Sequence, residues 1–277
     1  MTSRLTALLS IAGYDPTSGA GVLLDTAVFR RFGYQGVGII TSVTVQNTVG
    51  VKAFFCLRQP SLRTQYRALA EDMNLGGLKV GMLGCRENIL PVARILRDQK
   101  LVPKLIDPVL RSSSGRWLLD KKAVPGLVSN FKNLFTVWTP NMDEAGWLTG
   151  AGAGSLETMK EAAARIAGEA GAAVVVKGGH LPKTAVNILF DGARFHLFEK
   201  PKLRADVHGT GCFFSAALLA LLASQVPLAQ AVGTATDLTY EAIREAVRLG
   251  KGRLVISPET LAPGGPHYLP VGSANPH

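Results

Sequence analysis

The stretch LTALLSIAGYDPTSGAGVLLDTAVFRRFG, residues 5–33, decides how the chain is read. Leu5–Ala12 is apolar at nearly every position instead of alternating, as a strand buried on both faces must be. Gly13–Gly21 follows as a glycine-rich turn, and Val22–Phe32 repeats its apolar residues at helical spacing until Gly33 ends it. Strand, turn and helix in that order make a unit of parallel α/β structure.

The same alternation runs outward along the chain. Strands are expected at Val37–Val45, Leu78–Met82, Lys104–Ile106, Leu134–Trp138 and Ala172–Val176, with an edge strand at Val51–Leu57. Helices are expected at Ser61–Met73, Glu87–Asp98, Lys121–Phe131, Asn141–Leu148, Ser155–Glu169, Cys212–Ala223 and Ala229–Arg248. Asp191-Gly192 joins Thr184–Phe190 and Phe195–Lys200 as a hairpin. The fold class is therefore α/β: a three-layer α/β/α sandwich with a mainly parallel central sheet. No linker or repeat divides residues 1–256, which read as one domain. Residues 257–277, with five prolines, read as a Pro/Gly-rich C-terminal extension.

Hydrophobic residues make up 47% of the 277 and charged residues 18%, which excludes a disordered chain. No segment reaches the ~18 apolar residues that a membrane span needs. Arg4 before Leu5–Ala12 imitates a signal peptide, but no small-residue cleavage motif precedes Tyr14-Asp15-Pro16, so a cytoplasmic protein is expected. Three widely spaced cysteines, with no CxxC or HxxxH, argue against a disulfide framework and against zinc. The net charge of +10 is dispersed and carries no nucleic-acid motif. A solvated basic surface that favours anionic metabolites accounts for it.

In open parallel sheets ligands bind beyond the carboxyl ends of the strands. Six clusters sit there: Gly13–Gly21, Thr44–Thr48, Gly81-Met82-Leu83, Asp107-Pro108-Val109, Thr139–Glu144 and Lys177–His180. A seventh, His208-Gly209-Thr210-Gly211-Cys212, precedes a helix of small residues. Its glycines let successive N–H groups converge beside the positive end of the helix dipole, making an anion hole or simply a glycine-rich cap. Asn141 and Glu144 share one side of a helix start and would hold a hydrated Mg²⁺ or cap the helix. Asp107 is a second candidate for Mg²⁺ or a turn residue. There is no GxxxxGK[ST] loop.

Taken together, Ala12-Gly13-x-Asp15-Pro16-x-x-Gly19-Ala20-Gly21, Gln46-Asn47-Thr48, Lys79-x-Gly81-Met82-Leu83, Asp107-Pro108-Val109, Thr139-Pro140-Asn141-x-x-Glu144, Lys177-Gly178-Gly179-His180 and the 208–212 cluster resemble the hydroxymethylpyrimidine/phosphomethylpyrimidine kinases of thiamine biosynthesis, in the ribokinase-like superfamily. The resemblance covers roughly residues 5–250. It implies ATP- and Mg²⁺-dependent phosphorylation of 4-amino-5-hydroxymethyl-2-methylpyrimidine and of its monophosphate, by a homodimer. It puts Gly13, Asp25, Gln46, Met82 and Val109 around the pyrimidine, and Asn141, Lys177, Gly179 and Thr210 on ATP. Glu144 and Asp107 fall to the metal, and Cys212 with Gly209 and Gly211 to the chemistry. Cys212 is expected to be a thiolate base, because a helix start lowers a thiol pKa, or else to pack its small side chain against the pyrimidine. Gln46 would both donate and accept along an aminopyrimidine edge, with Asp25 as a further acceptor; the competing reading is that Gln46 caps a strand end and Asp25 sits on a solvated face. Ala27 and Ser113 stand where many relatives carry lysines, which bears on the second phosphorylation. The alternatives are a pyridoxal or pyridoxine kinase and a non-catalytic pyrimidine-binding regulatory module.

Overall fold

The computed structural model describes residues 6–58, 60–179 and 184–258. His180 and all but two residues of the expected C-terminal extension lie outside them. β1 (Ala7–Tyr14) is buried at seven of its eight positions, as its continuous apolar run requires. It leads through the 15–20 loop into α1 (Gly21–Arg31). Then follow β2 (Gln35–Asn47), β3 (Gly50–Cys56), α2 (Ser61–Ala70), β4 (Leu75–Val80), α3 (Ile89–Asp98), β5 (Lys104–Ile106), α4 (Leu127–Asn130), β6 (Val137–Trp138) and α5 (Met142–Thr149). The second half continues with α6 (Leu156–Ala170), β7 (Ala173–Gly178), β8 (Thr184–Phe190), β9 (Phe195–Pro201), β10 (Val207–His208), α7 (Thr210–Ala223), α8 (Leu228–Arg244) and β11 (Leu254–Val255).

Nine strands form one sheet in the order β3-β2-β1-β4-β5-β6-β7-β8-β9. The six from β2 to β7 are parallel, while β3, β8 and β9 add antiparallel edges. Two apolar cores, one on each face, cover the sheet: α2 to α6 pack on one, and α1, α7 and α8 on the other. This is the expected three-layer sandwich. α7 is apolar all round because α1 and α8 flank it while β4 and β5 lie beneath, so no side meets solvent. That wedge carries its N-terminus to the carboxyl ends of the central strands. No helix among the described residues is long and apolar enough to cross a membrane.

Three local expectations need correction. The single helix expected at Lys121–Phe131 is a 3-10 turn, Lys121–Ala123, followed by the one-turn α4. Pro125 between them lacks the N–H that a continuous helix needs. β10 and β11 escaped notice because two-residue strands carry no periodicity, yet their parallel pairing sets the rim on which His208 sits. Cys56 and Cys85 are joined as a disulfide, whereas counting an odd number of scattered cysteines argued against one. The residues are 29 apart in sequence, and only the fold of the post-β4 loop brings them together.

Candidate active site

At the carboxyl ends of the parallel strands the loops enclose a cavity of about 720 Å³. Gly13 and Gln46, from the ends of β1 and β2, line one wall with Met82 and Val109 from the loops after β4 and β5. Asp107, Asn141, Glu144, Lys177 and Gly179 line the same cavity. Gly209, Thr210, Gly211 and Cys212 line it at the start of α7. Thirteen of the fourteen site residues read from the sequence thus share one cavity.

The fourteenth, Asp25, does not. It is fully buried in α1, where it accepts from Lys79 Nζ and, at 2.6 Å, from Ser10 Oγ. Its carboxylate is paired with Lys79 beneath the cavity, so the structure does not bring Asp25 together with the other thirteen. Its partner was missed as a site residue. Lys79, fully buried on β4, also donates to the carbonyl of Cys212 at 3.4 Å. Burial alone would depress the Lys79 ammonium, but the Asp25 carboxylate together with Cys212 and Asp107 outweighs it and holds its pKa above the usual lysine value.

The start of α7 fits an anion. Gly209 is its N-cap at φ 87°, a left-handed conformation, and a Cβ there would lie 1.9 Å from the Gly19 carbonyl oxygen. The first turn carries no acidic residue, so its unpaired N–H groups are left for a ligand. Lys177 Nζ lies 3.0 Å from where a Cβ on Gly211 would stand. It pairs with Asp107 Oδ1 at 2.5 Å, and Ser215 Oγ of α7 donates to Asp107 Oδ2 at 3.2 Å.

Glu144 and Asn141 form a capping box at the start of α5: Asn141 N donates to Glu144 Oε2 at 2.8 Å, and Glu144 N to Asn141 Oδ1 at 2.9 Å. The capping reading of these residues is therefore realised. Glu144 is only 3% exposed, and burial pushes its carboxyl up to about 8 against the pull of Lys177. For Asp107 burial is outweighed by Lys177 and Lys79, which hold it below the usual carboxylate range. Both carboxyls feel the Lys177 ammonium, Asp107 feels that of Lys79 as well, and Glu144 takes the proton.

The thiolate expected at Cys212 is opposed by burial. Burial pushes the thiol up to about 11, more than Lys79 and the backbone N–H of Gly21 pull it down. The helix start alone does not ionise it. Neither absent lysine leaves the cavity uncharged, because Arg111, Lys200, Lys202 and Arg253 line it with Lys177. Ser113 lines the cavity, whereas Ala27 on α1 does not.

The chain is similar to known proteins over most of its length. The family model described as phosphomethylpyrimidine kinase matches residues 15–257. The hydroxymethylpyrimidine/phosphomethylpyrimidine kinase of Aquifex aeolicus is 40% identical over 246 residues, covering 88% of this chain and 96% of that protein. Among solved structures, phosphomethylpyrimidine kinase of Clostridium difficile 630 superposes with a TM-score of 0.75 at 32% identity, covering 86% of this chain and 99% of that one. An ADP complex of Bacillus subtilis pyridoxal kinase superposes with a TM-score of 0.84 at 27% identity, covering 93% and 99%.

The raised Glu144 pKa has a measurable sign. Below its unfolded value of 4.5 the carboxyl is protonated in both states, and folding meets no ionisation cost. Between 4.5 and about 8 the unfolded chain ionises first, so native stability falls as pH rises. Glu144→Gln keeps an acceptor for Asn141 N and removes that cost. Thermal melts without nucleotide are expected to show the variant gaining on the wild type from pH 5 to pH 8, on the order of a few kcal/mol. A constant difference across that range would contradict the buried, proton-binding Glu144.

Proposed function

The chain belongs to the phosphomethylpyrimidine kinase family, and from that premise we propose that its cavity transfers the γ-phosphoryl group of ATP to the hydroxymethyl group of 4-amino-5-hydroxymethyl-2-methylpyrimidine and then to the resulting monophosphate. The protein is a kinase of thiamine biosynthesis, an enzyme that phosphorylates an alcohol. The observation that carries the residue-level proposal is the meeting, in one cavity, of an anion-binding helix start with Gln46, Met82 and Val109. ATP use is supported by the ADP complex of the structurally similar kinase.

In this proposal the Gly209–Gly211 backbone and the Thr210 N–H bind the transferring phosphates, with Lys177, Asn141 and Gly179 on the ATP side. Preorganised donors of this kind stabilise charge as it develops, without reorganising at the moment of reaction. Lys177 is held by Asp107, so the cation is already aimed. Met82 and Val109 supply apolar walls to the ring, with Gly13 leaving room beside Met82. The donor set at Glu144 and Asp107 fits Mg²⁺: both are buried carboxyls beside the anion hole, and Glu144 holds a proton that a cation would displace. With Glu144 Oε2 and Asn141 Oδ1 engaged in the capping box, they would hold the ion through its own waters, as Mg²⁺ prefers. The ion would supply neutralisation of the phosphoryl oxygens.

Residues 1–256 act as one kinase domain, in the cytoplasm. The homodimer is built along β3, an outermost strand of the sheet, where Phe55 is 65% exposed and Val49, in the turn that leads into it, 64%. Sedimentation is expected to give twice the chain mass, and half of it for Phe55→Asp; an unchanged dimer in the variant would remove β3 from the interface.

A second reading has one observation in its favour, since the TM-score to pyridoxal kinase exceeds that to the pyrimidine kinase structure. Offering Mg·ATP with the aminopyrimidine alcohol, its monophosphate and pyridoxal side by side separates the two. The expected kcat/KM order places the aminopyrimidine above pyridoxal by ~10-fold or more, because a buried polar group left unpaired penalises the wrong ring. Better use of pyridoxal would overturn the assignment, and no turnover of any would favour the regulatory binding module.

Cys212 is proposed to accept the substrate hydroxyl proton. With the thiol near 11, the reactive ionised fraction is small at neutral pH and grows with pH. The rate is therefore expected to climb from pH 7 towards 10 in the wild type. Cys212→Ala should lose ~10²–10⁴ in kcat together with that climb, while ATP still binds. A variant that keeps most of its kcat and the same pH profile would leave Cys212 a packing role only.

A further inference from the structure

Gln46 was expected to read the substrate ring with both ends of its amide. The structure gives one end other work. Gln46 Nε2 donates to Asp15 Oδ2 at 3.0 Å and lies 2.9 Å from His208 Nε2, which is itself 2.9 Å from the same carboxylate oxygen. Asp15 is only 4% exposed, and its other oxygen accepts from Thr17 N and Thr17 Oγ1, both at 2.9 Å. The carboxylate is thereby fixed on both sides. An amide oxygen turned towards it would meet a second lone-pair-bearing oxygen, so only the nitrogen can face Asp15. No protein partner is found for Gln46 Oε1 among the described residues.

Position reinforces this constraint. The β2–β3 pairing slips register between Val45 and Gln46. A bulge of this kind re-aims the side chain next to it, and Gln46 lines the cavity while Val45 points out to solvent. His208 comes from β10, directly before the anion-binding turn, and its ring packs where Gly19 has no side chain: a Cβ there would lie 2.8 Å from His208 Cδ2.

We propose that Asp15, assisted by His208, is a positioning residue that locks the Gln46 amide with its carbonyl oxygen as the free group, so that the site selects a ring bearing an exocyclic amine over one bearing oxygen there. The inference rests on the pyrimidine-kinase reading and deepens it. A freely rotating glutamine would offer donor or acceptor as the ligand required and would discriminate little. Held by Asp15, it accepts from an amine N–H and opposes a carbonyl or phenolate oxygen. Selectivity then resides in a residue that need not touch the ring.

The test compares the aminopyrimidine alcohol with the analogue carrying oxygen in place of the amine, in wild type and in Asp15→Asn. Asparagine can present either end to Gln46 and so frees the amide to turn. The expected result is a fall of ~10-fold or more in the kcat/KM ratio of amine to oxygen substrate, carried by the two substrate KM values, with the KM for ATP unchanged. If Asp15→Asn does not fold, His208→Phe retains the ring on Gly19 without its nitrogen and is expected to shift the ratio in the same direction. An unchanged ratio in the folded variant, with both substrates weakened equally, would overturn the positioning role. A wild type inert towards the amine alcohol would instead overturn the kinase reading, and this inference with it.

Discussion

Two opposite charges with no access to water hold the floor of the site together. Lys79 on β4 meets Asp25 on α1, Ser10 of β1 completes the carboxylate, and the same ammonium reaches the Cys212 carbonyl in the first turn of α7. Four elements from distant parts of the chain are tied at one point. Desolvating two ions is costly, and a pair of well-packed apolar side chains would often be as stable. What the charges add is uniqueness of arrangement. An apolar contact tolerates sliding, whereas an unpaired buried charge does not, so β1, α1, β4 and α7 meet in one register. The anion-binding turn inherits its position from that register.

Above this floor a second set of charges is arranged for a ligand. Asp107 and Glu144 share the Lys177 ammonium, Lys79 adds its charge at Asp107, and one carboxyl keeps its proton by virtue of burial. In such a cluster a small change of nearby charge moves a proton, so binding a phosphate or a cation also changes protonation. The cationic side chains around the cavity belong to the 30 Lys and Arg residues whose dispersal along the chain concealed their convergence.

Much of the fold was legible from residues 5–33 onward, because two-sided burial of a parallel strand leaves a continuous apolar run that no alternating strand has. Lys104–Ile106 and the hairpin following Thr184 were readable for another reason: they are short runs bounded by strong turn residues. The clusters at strand ends also led to the cavity, since topology sends them all to one side of the sheet. Pairing was not legible. Asp25 looked like a free acceptor on a helix because nothing local to it shows Lys79, 54 residues on. The Asp15, Gln46 and His208 contacts likewise span up to 193 residues. Cys212 illustrates a different limit: the helix start was read correctly, but the desolvation that dominates its acidity belongs to the assembled cavity.

The slipped register between Val45 and Gln46 bears on how such a protein can change over generations. It lies near the edge of the sheet, two strands removed from β4 and the charges beneath it. If the proposed roles of Gln46 and the 209–211 turn hold, substitutions there alter which ring is accepted while leaving that turn as it was. A lineage can then explore new vitamin-like acceptors one residue at a time without passing through an inert ancestor. The pyrimidine and pyridoxal kinases that share this architecture are the kind of divergence that such a division of labour permits.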